Sequence, residues 1–380
     1  MNFPNTKLGM NLNFDGFSSN DIIKILFNES PGIIIQAHKS VRNTLKKNKV
    51  DFIKLGYVSN RRKFNISFNK TKIELDIDHF RDSWFKSSSL LDLEQTSHNK
   101  SDERFKNYKN QPLKFKFPNS FLGKIPTNNH TKKIKAAVIR EKGINSEREM
   151  AYMLHLAGFV VKDVHMTDLV SGRENLNDIK MLVFPGGFSN SDVLGSAKGW
   201  AGAFKFNKKA KKSIESFYNR KNTLSLGVCN GCQLMMELNL IYPKLKDNHP
   251  KMKHNESKKF ECVFTSIDIL KSNSIMLSNL SGSTLGIWSA HGEGRFDLKN
   301  QKINVAAKFH YKEYPSNPNG SDLATAAICS KDGRHLAIMP HLERSIFPWN
   351  WAHYDNDRND KISPWIIPFA NARNWLEENG

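Results

Sequence analysis

One of the four cysteines in this chain has the local sequence of a nucleophile. Cys229 follows the apolar run 224–228 directly, and strong helix formers begin at Gln233. A short apolar run predicts a buried strand, and the change of pattern predicts a strand-to-helix turn at the cysteine. Glycines at 227 and 231 permit a tight turn, and the free N–H groups of the next helix favour a thiolate. The pattern predicts a nucleophile that attacks a carbonyl group.

A cysteine nucleophile needs a base, and two histidines are candidates. His341 and Glu343 follow an apolar run, whereas His291 and Glu293 lie in a glycine-rich segment. In extended backbone, residues two positions apart point to the same side, so either carboxylate is placed to orient its histidine. We favour His341 as the base and Glu343 as its orienting group, because the end of a core strand places them near the cysteine. The glycines around Glu293 indicate a loop that approaches substrate or a neighbouring domain.

The attacked carbonyl also needs hydrogen-bond donors for its developing negative charge. Gly186 and Gly187 follow the apolar segment 180–184, and they free the N–H of residue 187 to face the site. The N–H of Asn230 is the second predicted donor. A plain left-handed turn after a strand explains the two glycines equally well when they are taken alone. Their combination with the strand-to-helix turn favours the donor role.

The segments around these residues alternate between strand and helix patterns. Residues 135–140, 159–165 and 180–184 predict strands, and Ser146 with Glu149 predicts a capping box that opens a helix. Such alternation predicts an α/β fold with an open, mostly parallel sheet and helices on both faces. The cysteine elbow then lies at the carboxyl ends of the strands.

Composition divides the chain into two domains and a linker. Residues 1–99 predict a small α+β unit, residues 100–133 a linker rich in Lys, Asn and Pro, and residues 134–380 the α/β domain. In the first unit we expect strands at 31–36 and 51–58, a hairpin of 63–68 and 72–77, and helices at 39–49 and 79–94.

The bulk composition indicates a globular protein from a reducing compartment. Of 380 residues, 39% are hydrophobic and 25% are charged, which is enough to bury the cores of two or three domains. Four cysteines are too few for a disulfide scaffold. No apolar run reaches the length of a membrane span, and residues 1–7 lack the basic start and apolar core of a signal peptide. These features predict a cytoplasmic protein without a membrane partner.

The strong positive charge would suit a nucleic-acid partner. The net charge is +20, from 57 Lys and Arg against 37 Asp and Glu. The lysines are scattered among asparagines and isoleucines, however, and there is no basic helix interleaved with aromatic residues and no zinc-finger pattern. A compositional bias explains the charge better, with an anionic substrate or partner as the alternative. No nucleic-acid partner is predicted.

Cys229 and Cys232 also form a C-x-x-C pair, which would suit a redox disulfide or half of a metal site. Zinc would need a second pair at suitable spacing, and Cys262 and Cys329 do not provide one. A redox pair does not normally follow an elbow glycine, so we expect Cys232 to pack inside its helix, and no metal is predicted. A cysteine hydrolase on the same elbow fold would also fit the cysteine, and so would a scaffold without catalytic activity.

Several motifs lie in the second domain, and they are the segments 227–233, 185–189 with 192–195 and 198–201, 291–295, 314–320 and 340–344. Together they resemble the glutaminase domain of the phosphoribosylformylglycinamidine synthase family, over residues 134–380. Segments 27–36 and 81–87 resemble the tail of the synthetase portion in the large, single-chain form of that family.

The resemblance implies a glutamine amidotransferase. Cys229 would attack the side-chain amide of glutamine and release ammonia, leaving a glutamyl thioester that water hydrolyses. His341 would be the base, Glu343 its orienting group, and Gln233 would lie near bound glutamine. In the complete family enzyme, ammonia reaches a synthetase site where ATP activates formylglycinamide ribonucleotide in purine biosynthesis. This chain has no Walker-type or dinucleotide-type loop, so we expect ATP and Mg²⁺ on a synthetase domain or polypeptide, and no cofactor here.

Three places depart from the family pattern. Leu342 stands between the catalytic histidine and glutamate where the family often has proline, and it leaves both functional side chains in place. Asn190 and Ser191 stand where Tyr-Gly is usual. Val263 replaces an arginine and removes a charge expected to serve domain contacts.

Overall fold

The computed structural model describes residues 6–127, 130–355 and 357–380. The chain divides into two compact units, Met1–Asp92 and Leu93–Gly380, so the division precedes the boundary predicted at residues 99 and 100. Residues 1–5, which carry part of the signal-peptide prediction, lie outside the described residues. Among the described helices, none has the length and apolar character needed to cross a membrane.

A four-stranded sheet forms the first unit. Its elements are β1 (Gly9–Asn13), α1 (Ile22–Leu26), α2 (Val41–Lys47), β2 (Gly56–Ser59), β3 (Lys63–Phe68), β4 (Thr71–Asp76) and α3 (Ile77–Gln95), which continues past the division. The predicted hairpin is confirmed as β3 and β4, and the predicted second strand is reduced to β2. The strand predicted at 31–36 is wrong: this apolar segment pairs with no strand among the described residues, and Ile33 is 90% exposed.

The second unit contains a larger set of elements around one sheet. Its strands are β5 (Lys135–Arg140), β6 (Val160–His165), β7 (Met181–Phe184), β8 (Leu224–Val228), β9 (Lys251–Lys253), β10 (Glu261–Ile269), β11 (Thr284–His291), β12 (Arg295–Asp297), β13 (Asn304–Phe309), β14 (Thr325–Cys329) and β15 (His335–Ile338). Its helices are α4 (His98–Asn107), α5 (Glu147–Leu156), α6 (Met166–Ser171), α7 (Lys198–Phe206), α8 (Lys208–Asn219), α9 (Asn230–Glu237) and α10 (Ile367–Asn379).

Nine of these strands form one sheet in the order β11-β10-β13-β14-β15-β8-β7-β5-β6. The five strands from β15 to β6 are parallel to one another, and the other four extend the sheet in antiparallel fashion. The predicted fold class is confirmed, since this is an α/β unit with a large, mostly parallel sheet and helices packed on it.

Strand β8 lies in the interior of the sheet, between β7 and β15. All five of its residues are buried, including Gly227. Strands that are covered on both faces read as continuous apolar runs, which is why this strand could be recognised from its sequence. The cysteine therefore follows a strand that is paired on both sides and fully buried.

The prediction of a linker over residues 100–133 is wrong at its start, because α4 continues to Asn107. Arg104 forms an ion pair with Glu261 at 3.0 Å, and the Asn107 side chain donates a hydrogen bond to Tyr314 O at 2.8 Å. Further along, the Lys116 N–H donates to Thr284 O at 2.8 Å. Because α4 is mostly polar, its sequence has no apolar stripe, and these tertiary contacts stabilise it instead.

Candidate active site

Cys229 lies at the turn between β8 and α9. Its backbone has φ 50° and ψ −107°, a conformation that side-chain-bearing residues rarely adopt. Its N–H donates to Ile338 O at 3.0 Å and its carbonyl accepts from the Gln233 N–H at 3.0 Å, so strand and helix both hold the turn. A Cβ at Gly231 would lie 1.9 Å from Phe184 O, so only glycine lets α9 start this close to β7. The predicted elbow is present.

His341 and Glu343 form a buried pair directly after β15. The Nδ1 atom of His341 lies 2.6 Å from Oε1 of Glu343, and the two residues are 2% and 1% exposed. Burial opposes a charged imidazole, but the attraction of Glu343 and Cys229 outweighs it and raises the pKa of His341 to about 10. Against the same burial, His341 holds the pKa of Glu343 below its ordinary value. The pair is an imidazolium beside a carboxylate, and Nε2 is left for the cysteine.

Gly186 brings the loop after β7 against both side chains. A Cβ at this position would lie 2.5 Å from His341 Cε1 and 3.3 Å from Cys229 Cβ. Only a glycine fits at this distance. The structure therefore brings together three residues that the sequence analysis selected from widely separated segments.

The two predicted oxyanion donors keep their N–H groups available. The Gly186 N–H is already used, since it donates to the buried Ser146 Oγ at 2.9 Å. The Gly187 N–H has no acceptor within the described part of the chain, although its neighbour Phe188 donates to the backbone. Asn230 is the first residue of α9, where backbone N–H groups have no partner within the helix. Gly187 follows Gly186 and Asn230 follows Cys229, and the role of their N–H groups as oxyanion donors stays a prediction.

The side chain of Asn230 fixes the surroundings of these donors. Its Oδ1 accepts from the Ser189 N–H at 3.1 Å, and its Nδ2 donates to Gln233 Oε1 at 2.9 Å. Gln233 in turn donates from Nε2 to Glu293 O at 2.9 Å. The glycine-rich loop that starts at His291 therefore lies against the elbow helix.

The rival histidine, His291, has its Nε2 atom hydrogen-bonded to Asn319. The Asn319 side chain accepts from the Ser321 N–H through Oδ1, which fixes its amide, so Asn319 Nδ2 donates to His291 Nε2 at 3.0 Å. Burial, together with the charge of His341, lowers the pKa of His291 to about 3, so the ring is neutral. Its acceptor nitrogen is already occupied. His341 is the histidine whose charge interacts with Cys229.

The other cysteines differ from Cys229 in their surroundings. Cys232 is buried within α9, and this burial raises the pKa of its thiol well above the ordinary value. Burial likewise raises the pKa of Cys329 to about 11, whereas Cys262 is exposed. All four are free thiols. Within the described ranges, no cluster of three or more His, Cys, Asp or Glu side chains is placed to hold a metal ion.

Sequence reasoning missed two contributors. Ser146 was predicted to cap α5, but it makes no capping hydrogen bond, and its Oγ accepts from the loop at Gly186 instead. The Ala290 carbonyl lies 3.6 Å from the Cys229 Sγ, and a backbone oxygen leaves no signal in a sequence. The sequence signals available for this role of Ser146 are the capping pattern at Ser146 and the glycine pair at 186 and 187.

A cysteine elbow on a mostly parallel sheet, with a buried His–Glu pair beside it, defines an α/β unit of the class that carries a cysteine nucleophile. Residues 133–376 match the sequence profile of the CobB/CobQ-like glutamine amidotransferase domain, and the chain belongs to this family. A chain of the solved PurLQS structure from Thermotoga maritima has the same fold, with a TM-score of 0.52 and 24% identity over 64% of this chain and all of that chain.

The full sequence is similar to parts of larger proteins. It is 37% identical to the probable phosphoribosylformylglycinamidine synthase, chloroplastic/mitochondrial, of Arabidopsis thaliana, over 98% of this chain and 28% of that protein. It is 36% identical to the phosphoribosylformylglycinamidine synthase of Dictyostelium discoideum, over 94% of this chain and 30% of that protein. The chain thus spans less than a third of the length of these relatives.

Proposed function

We propose that the second unit hydrolyses glutamine through Cys229 and supplies the ammonia that converts formylglycinamide ribonucleotide to formylglycinamidine ribonucleotide in purine biosynthesis. The observation that carries this proposal is the buried His341–Glu343 pair beside the elbow cysteine of a glutamine amidotransferase domain. The names of the Arabidopsis and Dictyostelium relatives support the wider reaction.

In the first step, the Cys229 thiolate attacks the carbonyl carbon of the glutamine side-chain amide. The carbonyl electrons move to oxygen, where the N–H groups of Gly187 and Asn230 stabilise the negative charge. When the intermediate collapses, the C–N bond breaks and His341 Nε2 gives its proton to the leaving nitrogen. Ammonia leaves, and a glutamyl thioester remains on the cysteine.

In the second step, water replaces the departed ammonia. His341, now neutral, takes a proton from water while the oxygen attacks the thioester carbonyl. The C–S bond breaks, glutamate leaves and the thiolate–imidazolium pair is restored. Glu343 keeps the imidazole in one orientation through both steps, because its carboxylate accepts from Nδ1.

We further propose that a synthetase domain or polypeptide uses the ammonia. It would hold ATP and Mg²⁺, and no step described above runs through either. Residues 1–99 would be the tail of that synthetase part, and residues 134–380 the amidotransferase domain. Cytoplasmic location stays a proposal to be tested by cell fractionation, and the name of the Arabidopsis relative gives chloroplasts and mitochondria for that protein.

The test measures glutamate release from glutamine by the full chain, alone and with the synthetase polypeptide that co-purifies with it. We expect Cys229→Ser and His341→Ala to abolish release, and Cys232→Ser to retain it, because Cys232 is a buried packing residue. If Cys232→Ser abolished glutamate release and Cys229→Ser retained it, Cys232 would be the nucleophile instead of Cys229. Absence of release under both conditions would favour a non-catalytic scaffold.

A further inference from the structure

The backbone of His341 is held by the strand at one edge of the sheet. Its N–H donates to Trp288 O at 2.7 Å, and its carbonyl accepts from the Ser345 hydroxyl at 3.2 Å. The Trp288 N–H donates to the same hydroxyl at 3.3 Å. Trp288 belongs to β11, which is the outermost strand of the sheet and lies next to β10. The position of the proposed base therefore depends on β11 as well as on β15, the strand that precedes it.

The same edge of β11 carries two further contacts. In an antiparallel strand, the backbone groups of alternate residues point to one side, so those of 284, 286 and 288 share the edge that faces away from β10. Residue 284 exchanges two hydrogen bonds with Lys116, at 2.8 Å and 2.9 Å, and the carbonyl of residue 286 accepts from the Trp365 indole at 2.8 Å. Lys116 and the proposed base are therefore bound four positions apart on one strand edge, a distance of roughly 13 Å.

Lys116 lies in a segment with three phenylalanines, residues 115–121, which we call the strap. Phe115 packs edge-on against Trp351, with ring centroids 5.0 Å apart, and Phe117 packs against the same ring at 5.6 Å. Edge-to-face aromatic pairs at this separation are favourable beyond the area that they bury. The sequence analysis assigned the strap to a linker, but its aromatic side chains hold it against the amidotransferase unit.

Trp351 connects the strap to the turn that carries His341. It is 6% exposed, and its Nε1 donates to Ser345 O at 2.7 Å. Its ring lies over Gly286, where a Cβ would come within 2.7 Å of it, so a glycine is needed for this close approach to β11. The residue that Trp351 holds by its carbonyl thus uses its hydroxyl to bridge Trp288 and His341.

Two routes therefore lead from the strap to His341. One runs along the edge of β11 and the other through Trp351 and Ser345. Both act on the backbone of the histidine rather than on substrate. Because an error of about 1 Å in the position of a reacting group costs about 10²-fold in rate, backbone contacts of this kind bear directly on catalysis.

We propose that the strap, Trp351 and Ser345 position His341 against Cys229. Phe115 and Phe117 fix Trp351, the indole fixes the Ser345 carbonyl, and the Ser345 hydroxyl fixes the carbonyl of the histidine. The inference rests on the proposed glutaminase function and adds the residues that hold its base in place.

The experiment measures glutamine hydrolysis by variants of the full chain. In Ser345→Ala and Trp351→Phe we expect kcat to fall about 10- to 100-fold with little change in KM, because the base is misplaced while the substrate site is intact. Trp351→Phe keeps an aromatic ring against the strap and removes only the indole donor. In Phe115→Ala, which changes a half-buried side chain of the strap, we expect kcat to fall about 10-fold.

Ser330→Ala is the matched control. The Ser330 hydroxyl is buried and accepts from the His335 N–H at 3.1 Å, so it holds the first residue of β15, whereas His341 follows the end of the same strand. This variant loses a similar hydrogen bond and should keep the kcat of wild type.

Alkylation of Cys229 separates positioning from a general loss of structure. Iodoacetamide reacts with the thiolate, and a nearby imidazolium favours that form. Followed by mass spectrometry of the Cys229 peptide, the midpoint pH of alkylation should rise by about one unit in the three variants and stay at the wild-type value in Ser330→Ala. A merely structural role would lower stability in urea without moving this midpoint.

Wild-type kcat in all three variants would overturn the proposal, and so would a reduced kcat with an unchanged alkylation midpoint. If Ser345→Ala fails to fold, Trp351→Phe and Phe115→Ala decide the question, since both keep the Ser345 hydroxyl. A wild-type chain that releases no glutamate would instead overturn the glutaminase function, and the alkylation midpoints would still report whether His341 is held in place.

Discussion

The Nδ1 atom of His341 lies 2.6 Å from Oε1 of Glu343, inside a unit where both side chains are almost wholly buried. The second carboxylate oxygen, Oε2, has no hydrogen-bond partner among the described residues. The imidazolium is therefore the main compensation for a buried negative charge. Removing one partner of such a pair leaves the other charge uncompensated, which is costly.

Replacing Glu343 tests the orienting role. In Glu343→Gln we expect kcat for glutamine hydrolysis to fall on the order of 10²- to 10⁴-fold with little change in KM, because the imidazole loses its orientation and its charge partner. Glu149→Gln is the control, since Glu149 lines a cavity of about 390 Å³ that His341 and Glu343 also line, and its side chain is partly exposed. Steady-state kinetics gives both constants. A Glu343→Gln variant with wild-type kcat would contradict the role.

The same pair makes stability depend on pH. The pKa of His341 is raised from 6.5 to about 10 in the folded protein, so the folded state holds this proton more tightly than the unfolded chain. The resulting stabilisation is complete below about pH 6.5 and is lost as the pH rises through about 10. We expect the stability advantage of wild type over His341→Gln to shrink across this window.

Urea unfolding of both proteins at a series of pH values measures this difference. His155→Gln is the control, because His155 is exposed on α5 and its replacement should leave a difference that is flat across the window. A flat difference for His341→Gln as well would mean that the imidazolium is not held in the folded state.

The close approach of Gly186 predicts a sensitive position. In Gly186→Ala the new Cβ would meet His341 Cε1 at 2.5 Å, so the loop or the ring must move. Misplacement on the scale of an ångström costs about 10²-fold in rate, and we expect kcat to fall by at least that factor. Gly202→Ala is the matched control in α7, where a Cβ would meet only Phe206, at 3.8 Å. That variant should keep its activity and gain up to about 1 kcal/mol in the free energy of unfolding.

Ser191 offers a substitution that should stabilise the protein. Its φ of 55° is left-handed, a conformation that glycine adopts at little cost. A left-handed non-glycine residue costs about 1 to 2 kcal/mol, partly offset by the greater freedom of glycine in the unfolded chain. We expect Ser191→Gly to raise the free energy of unfolding by roughly 0.5 to 1 kcal/mol with turnover retained. Ser216→Gly, in the exposed face of α8, should lower it by roughly 0.5 kcal/mol. Denaturant unfolding of both variants measures whether the free energy of unfolding rises in Ser191→Gly and falls in Ser216→Gly.

Features encoded over short stretches were predictable from the sequence. The elbow at Cys229 and the strand before it follow from an apolar run, two glycines and a helix pattern. The His341–Glu343 pair follows from its spacing after a strand. The proximity of Cys229 to the His341–Glu343 pair was harder to predict, because it depends on the parallel pairing of β8 and β15.

Features that depend on distant partners were not predictable. The antiparallel half of the sheet pairs strands such as β10 and β13, and single-strand patterns do not encode such pairing. Helix α4 forms in a polar segment because Arg104 and Asn107 find partners far along the chain. The apolar segment at 31–36 was read as a strand from its composition, but no neighbouring strand in the described structure pairs with it.

The Ser146 hydroxyl binds the loop at Gly186 instead of capping α5. Its hydroxyl serves the loop at Gly186, so α5 begins without the side-chain cap that would be worth about 1 kcal/mol. The first turn of α5 is less stable as a result, and the loop at Gly186 gains a hydrogen bond. Thermal fraying of the first turn of α5 would consequently be transmitted to the loop that we propose binds the reacting carbonyl, and heat should impair turnover before it unfolds the sheet.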